Sequence, residues 1–293
     1  YIGFGGPFLE DYKALHATLR ISRMHSIECD ENTHLRQKFN LPASFIHLHC
    51  KHSSDFFRTH VFSDKGTVVW LDYTGSGSLK DQIDEFRNVV SKLDLYDVAK
   101  LTLQANPDSL GNGDGSAKPH ELPALRAGKL AEVLSEYVPV NLSGKDVTSR
   151  TYPTTLQKCV ENSLSAMPTG IEKRYFQILS SFVYKDGQTM LTITGMIFKA
   201  KNDMQQEDFL VQSRLRYWPF INLDWSTPVN ISVPNLSAKE RMRLDEQLPS
   251  PAGPTLGRDL ETHLGFRPSS STDELANYAR YYRHYPHFSR VVL

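Results

Sequence analysis

Four short stretches of this sequence gather residue types that can do chemistry. In "YIGFGGPFLEDY", Gly3, Gly5 and Gly6 crowd the point where a strand gives way to a helix. Backbone without Cβ atoms can turn sharply there and let a ligand touch it. "WLDYTG" carries Asp72 at the abrupt end of an apolar run, with Tyr73 beside it. A carboxylate at the carboxyl end of a strand can orient a hydroxyl or take its proton. "IECDEN" places Glu28 and then Asp30 about where an acid grips ribose hydroxyls in nucleotide-binding βαβ units. "HCKHSSDF" supplies Ser54 and Asp55 after another strand. Each has a plainer reading: a tightly packed glycine turn, a solvated acidic strand end, a capped strand end. The spacing of Gly3, Gly5 and Phe8 does not fit the dinucleotide pattern G-x-G-x-x-G, because Phe8 stands where the third glycine belongs. His47 and His49 would share one side of a strand, and with Cys50, His52 and Asp55 they could ligate a metal. No second ligand cluster accompanies them, so structural histidines are the preferred reading and no metal is expected.

The elements that must hold these residues follow from hydrophobic period. Phe8, Tyr12, Leu15 and Leu19 recur at helical spacing behind Pro7, with Glu10 and Asp11 in the first turn. "RMHSIECDEN", "FIHLHCK", "GTVVWLDYTG" and "VAKLTLQANP" read as strands. "SLKDQIDEFRNVVSKL" is an amphipathic helix through Leu79, Ile83, Phe86, Val90 and Leu93, entered at Ser78. Strands alternating with helices predict a parallel sheet covered on both faces. The polar "DSLGNGDGSAKPHE" is a loop, and helices are expected near 122–137 and 154–166. "RYFQILSSFVY" and "QTMLTITGMIFKA" flank "KDG", a strong hairpin signal. Beyond residue 200, "QQEDFLVQSRLRYW" and "NLSAKERMRLDEQL" read as helices, the latter with a capping box of Ser237 and Glu240.

The chain has 293 residues, enough for a large core. Lys and Arg together number 33, as do Asp and Glu, so a globally basic nucleic-acid binder is not indicated. Cys29, Cys50 and Cys159 form no CxxC pair, which points away from a disulfide framework and toward a reducing, cytoplasmic setting. No apolar run approaches the roughly 18 residues of a membrane span, and no signal peptide is read. A strand feeding the opening glycines would need more than Tyr1 and Ile2, so residues upstream are expected.

A glycine loop after strand one, acids at the end of strand two, an acid ending strand four and a terminal β-hairpin together resemble the class I S-adenosylmethionine-dependent methyltransferases. The resemblance covers residues 1–200 and implies a Rossmann-like α/β domain there, followed by a mostly helical extension over 201–293. Gly3 and Gly5 match the family's alternate glycines. Tyr1 stands at its acidic position and Pro7 at its third glycine position, with Gly6 one place early. By this resemblance, Gly3, Gly5 and Gly6 hold S-adenosylmethionine (SAM), Glu28 binds its ribose with Asp30 as second choice, and Ser54 or Asp55 approaches its adenine amine. Asp72, followed by Tyr73, becomes the catalytic candidate. Tyr73 and Thr74 replace the prolines of the base-amino methylases, so transfer to oxygen is expected rather than to nucleobase nitrogen. Asn106 and Pro107 would line the same crevice.

Two further functions compete with the enzyme. A catalytically degenerate domain of the same fold could serve as a subunit of a larger defence or RNA-processing complex. The C-terminal "YARYYRHYPHFSR" alternates Tyr278, Tyr281, Tyr282, Tyr285 and Phe288 with Arg280, Arg283 and Arg290, and could stack on bases and hold phosphates. A terminal helix docked through its tyrosines is the preferred reading of that segment.

Overall fold

A computed structural model describes residues 1–62, 66–75, 77–111, 117–165, 174–199, 203–251, 253–268 and 271–284. In chain order the elements are β1 (Ile2–Phe4), α1 (Glu10–Leu19), β2 (Met24–Glu28), α2 (Glu31–Phe39), β3 (Ile46–Cys50), α3 (Ser53–Thr59), β4 (Val68–Asp72), α4 (Leu79–Lys92) and β5 (Val98–Gln104). Then follow α5 (Leu122–Leu134), α6 (Tyr152–Ser165), β6 (Arg174–Asp186), β7 (Gln188–Lys199), α7 (Asp203–Gln212), β8 (Val229–Ile231), α8 (Ala238–Asp245), α9 (Leu256–Leu264) and α10 (Thr272–Tyr281).

The strands form one sheet in the order β3-β2-β1-β4-β5-β7-β6-β8. The first five are mutually parallel, and β7 inserts antiparallel between β5 and β6. The chain therefore winds outward from β1 through β2 to β3, then returns to start again at β4. That reversal beside β1 is the switch point where an open α/β sheet makes its ligand crevice.

Strand alternation sorts the side chains onto two faces. Val69 and Leu71 of β4 and Leu101 of β5 join a core with Phe57 of α3, Phe86 of α4, Leu130 of α5 and Leu156 of α6. Val68 and Trp70 point the other way, toward a smaller cluster of Tyr1, Leu9, Tyr12, Met24 and Ile46 under α1. Helix α4 buries Ile83, Phe86, Val89 and Val90, and Ser78 caps it by accepting from the Asp81 N–H at 3.3 Å. The expected hairpin forms with Gly187 at its tip, in a left-handed conformation (φ +68°) that glycine adopts without strain.

Two helices escape the periodicity argument. Helix α2 buries only His34 and Gln37, and α3 has 7 residues, so neither shows an apolar stripe long enough to read. The helix expected over 122–137 stops at Leu134 and tightens into a 3-10 turn at Ser135–Tyr137.

The chain divides into two compact units, Tyr1–Val229 and Asn230–Leu293. Helix α7 belongs to the first, where Phe209 stacks on Tyr96 with ring centres 5.0 Å apart. The second has its own core of Leu236, Leu244, Leu256, Leu260, Leu275 and Tyr278. The capping box before α8 is complete: the Ser237 hydroxyl accepts from the Glu240 N–H, and Glu240 accepts from the Ser237 N–H. No described helix is long and apolar enough to cross a membrane.

Candidate active site

A cleft of about 800 Å³ opens at the carboxyl ends of β1, β2 and β4. Strand ends and helix starts converge there because every parallel strand finishes on that side. Glu28 from the end of β2, Ser54 from the first turn of α3, and Asp72 and Tyr73 from the end of β4 all line it. The remaining sequence candidates, Gly3, Gly5, Gly6, Asp30 and Asp55, are not among its lining residues.

The glycine loop is gripped from behind. Tyr12 Oη lies 2.7 Å from the Gly3 carbonyl oxygen, and the Gln37 amide donates to the Gly5 carbonyl. A Cβ on Gly3 would meet the Tyr1 hydroxyl at 2.6 Å, and one on Gly5 would meet Leu9 Cδ2 at 2.6 Å and the Ser26 hydroxyl. Gly6 alone has open space where a side chain would project. Tyr1, at the position where an acid was expected, donates to Asp11 Oδ2 at 2.7 Å. Burial and the neighbouring Asp11 carboxylate drive its phenol far above the ordinary range, and burial also raises Asp11.

The two acids after β2 have separate fates. Glu28 Oε1 accepts the Asp30 N–H at 2.8 Å, which orients the carboxylate at the cleft edge. Asp30 is the N-cap of α2: its Oδ1 accepts the Thr33 N–H at 2.7 Å, and that bond holds its carboxyl below the usual value. Its side chain is thus committed to a helix end. After β3, Ser54 faces the cleft, whereas Asp55 pairs with Arg58 at 2.9 Å one turn along α3.

Tyr73 packs edge-on against Phe4, with ring centres 5.2 Å apart, and donates to Glu85 Oε2 at 2.8 Å. The Ser53 hydroxyl donates to the same oxygen at 2.9 Å. Burial and the Glu85 carboxylate keep the Tyr73 phenol protonated. Glu85 Oε1 is buried with no hydrogen-bond partner among the described residues, and Glu85 lines the cleft. Sequence reasoning passed over Glu85. Its signal is positional: it lies three residues after buried Gln82 and four before buried Val89, so an acid falls on the inward flank of α4. Among the described lining residues, Glu28, Asp72, Asp81, Asp84 and Glu85 are acids and Lys51 is a base, while Lys80, outside the lining, pairs with Asp84 at 3.0 Å.

Behind Asp72 on the α1 face, Lys100 Nζ sits 3.3 Å from the centre of the Trp70 ring. Burial lowers its ammonium to about 8, against the opposing pull of Asp72 and Asp11. Asn106 lines a neighbouring cavity, and Pro107 is buried at the start of a 3-10 turn.

His47 and His49 do share a face of β3, but they stack with His25 of β2; His25 Nδ1 lies 3.0 Å from His49 Nε2. Cys50 is exposed and His52 precedes α3, so the five residues proposed as a metal set do not converge. Among the described residues no group of three or more His, Cys, Asp or Glu is placed to hold a metal ion. The C-terminal aromatic segment departs from the stacking role: Tyr278 and Tyr281 are buried, and Tyr278 donates to Asp245 at 2.7 Å. Tyr278 belongs to the second core. Tyr285, Phe288 and Arg290 lie outside the described residues.

A doubly wound sheet with its crevice at the β1/β4 switch point defines an open α/β protein of the Rossmann-like kind. More specifically, the chain belongs to the family described as "Putative O-methyltransferase", whose model matches residues 1–293. Three solved structures show what the chain is similar to at low identity and low TM-score. The S-adenosylmethionine-dependent methyltransferase SibL is 8% identical, with a TM-score of 0.36 over 67% of this chain and 49% of its own. A "putative S-adenosylmethionine dependent methyltransferase" of Listeria monocytogenes is 13% identical, with a TM-score of 0.37 over 67% of this chain and 89% of its own. PigF, solved with S-adenosylhomocysteine, is 9% identical, with a TM-score of 0.35 over 67% and 49%. The chain thus matches about half the length of SibL and of PigF. No curated protein matches it.

Proposed function

We propose that the chain is a SAM-dependent O-methyltransferase that holds its cofactor in the cleft between β1, β2 and β4. The observation that carries this reading is the convergence of Glu28, Ser54 and Asp72 on one cleft at the switch point. The cleft volume suits a nucleoside-sized ligand. The oriented Glu28 carboxylate can accept the two ribose hydroxyl protons, and Ser54 stands where the adenine edge would pass. The buried Glu85 oxygen offers an acceptor that lacks a donor among the described residues. An acid-lined cleft also favours a cation, and SAM carries a sulfonium and an ammonium against one carboxylate.

The bound sulfonium supplies an electrophilic methyl group. Asp72 then orients the acceptor hydroxyl and takes its proton as oxygen attacks, and positioning carries much of the remaining acceleration. Tyr73 acts through Glu85, by fixing that carboxylate, rather than as a base. A cytoplasmic location belongs to the same proposal, on the strength of exposed free thiols at Cys29 and Cys50.

A second reading, an interaction subunit without turnover, is favoured by one observation: Tyr1 fills the space over Gly3 that an open glycine loop would leave. Calorimetry with SAM and S-adenosylhomocysteine separates the two when joined to a transfer assay. Micromolar binding with transfer to a hydroxyl supports the enzyme. Binding without transfer to any substrate pool, together with a stable partner on pull-down, supports the subunit. Absence of binding to either ligand removes the cofactor assignment altogether.

A further inference from the structure

A second cavity, of about 720 Å³, adjoins the cleft; Gly75, Gly77 and Gln82 border both. It lies beyond β4 and β5, where Gln104 ends β5 and Gln188 opens β7. Most of its polar lining is neutral, the carboxamides of Gln82, Gln104, Asn106 and Gln188 and the hydroxyls of Ser78, Ser109 and Tyr152, with Asp108 and Lys129 as the charged exceptions among the described residues. The charged side chains that reach it already have counter-charges. Asp108 lies 2.6 Å from Arg126, and Lys129 lies 3.0 Å from Glu132. Asn106 is fixed at both ends, since Oδ1 accepts the Asp108 N–H at 3.2 Å and Nδ2 donates to Gln188 Oε1 at 3.2 Å. With Gln188 Oε1 so engaged, its NH₂ group is the side chain's donor. Burial keeps the Tyr152 phenol protonated as well.

Carboxamides both donate and accept, and so do hydroxyl groups, so such a lining can satisfy several hydroxyls at once. A charged ligand would lose hydration there without gaining an unpaired opposite charge. The geometry points to this cavity as the acceptor site, and to a neutral small molecule bearing several hydroxyl groups as the methyl acceptor. The inference rests on the adjoining cleft holding the methyl donor. In the transfer it implies, the acceptor oxygen forms a bond to the methyl carbon while the carbon–sulfur bond breaks. The sulfur keeps that electron pair as a neutral thioether, and the hydroxyl proton leaves to Asp72.

The test uses matched triplets: polyol and glycoside scaffolds, each prepared as a neutral carboxamide, a carboxylate and an ammonium. Affinities are measured by saturation-transfer NMR on the intact chain, with and without SAM. The neutral member should bind about tenfold or more tightly than either charged member. The double variant Gln104→Leu with Gln188→Leu should weaken the neutral member about tenfold while SAM affinity stays constant. The pair Gln104→Glu with Gln188→Glu, which keeps side-chain volume, should move the preference to the ammonium member. Equal or tighter binding of a charged member would overturn the proposal, as would neutral-member affinity indifferent to all four substitutions, or no binding by any scaffold. SAM affinity, read separately in the same samples, reports on the donor cleft, so its loss is distinguished from a wrong acceptor class.

Discussion

Glu28 and Asp30, two residues apart, show how much one hydrogen bond decides. Asp30 spends its carboxylate on the Thr33 N–H, whereas Glu28 keeps an oxygen for the cleft. Glu28→Gln is expected to weaken SAM binding ten- to a hundredfold, the range for a lost charged hydrogen bond. Asp30→Ala should lower thermal stability and leave SAM affinity unchanged, and calorimetry beside thermal melting reads both. Asp72→Asn should cut kcat by a factor of about 10² to 10⁴ with little change in SAM affinity; a variant within threefold of the parent would remove Asp72 from the chemistry. His25 makes a prediction about pH. Burial, then His49, His60 and His47, lower its imidazole from 6.5 to about 4. Between those values the unfolded chain binds the extra proton, so stability is lost as pH falls through that window. Because the ring is only half-buried, solvent screening limits the loss. The melting temperature should drop from pH 7.5 to pH 5, and less so in His25→Phe; an unchanged midpoint would contradict the assignment.

At the scale of elements, the β1–α1 loop is a packing device before it is a binding one. Gly5 lies beneath Ser26, Leu9 and Gln37, and Gly3 beneath Tyr1. Gly5→Ala should therefore destabilise the chain by about 1–3 kcal/mol, the usual cost of overpacking. Gly6→Ala, with open space at its Cβ position, should be close to neutral for stability. Urea unfolding of the two variants compares them directly, and equal midpoints would show that the loop is looser than these contacts imply. Helix α4 has two duties as well. Its inner stripe of Ile83, Phe86 and Val90 holds it to the sheet, and the next flank carries Glu85 into the cleft. Repacking that stripe would move the carboxylate that Tyr73 and Ser53 hold.

Across the whole molecule, net charge is zero, yet the described lining of the cleft carries five carboxylates, one of them paired with Lys80, and one ammonium. The protein's charge is thus distributed rather than absent. Under the proposed function, this field would favour a cationic sulfonium over a neutral thioether and so give the product a route out. SAM should bind several-fold more tightly than S-adenosylhomocysteine at low salt, and the gap should narrow as ionic strength rises. Tighter binding of the thioether at every salt concentration would show that contacts, not the cleft's charge, set the affinity.

The sequence alone determined the alternation of strands and helices, the hairpin at Gly187 and the acids at the strand ends. Each is a local matter of hydrophobic period, turn chemistry or position along a strand. It also sufficed to mark Glu28, Ser54 and Asp72, which the fold brings to one cleft. What only the tertiary structure decided is long-range. Strand order put β1 beside β4 and so made the crevice. Packing across the sheet filled the space over Gly3 and Gly5 with the chain's own side chains, and the helix after Asp30 claimed that carboxylate as its cap. Glu85 became visible as a cleft-lining residue only when α4 docked, because an acid on an amphipathic helix reads as solvent-facing until its neighbours are in place. The buried tyrosines of α10 follow the same logic: their sequence admits a nucleic-acid surface, and burial takes both rings out of solvent, Tyr278 into the second core.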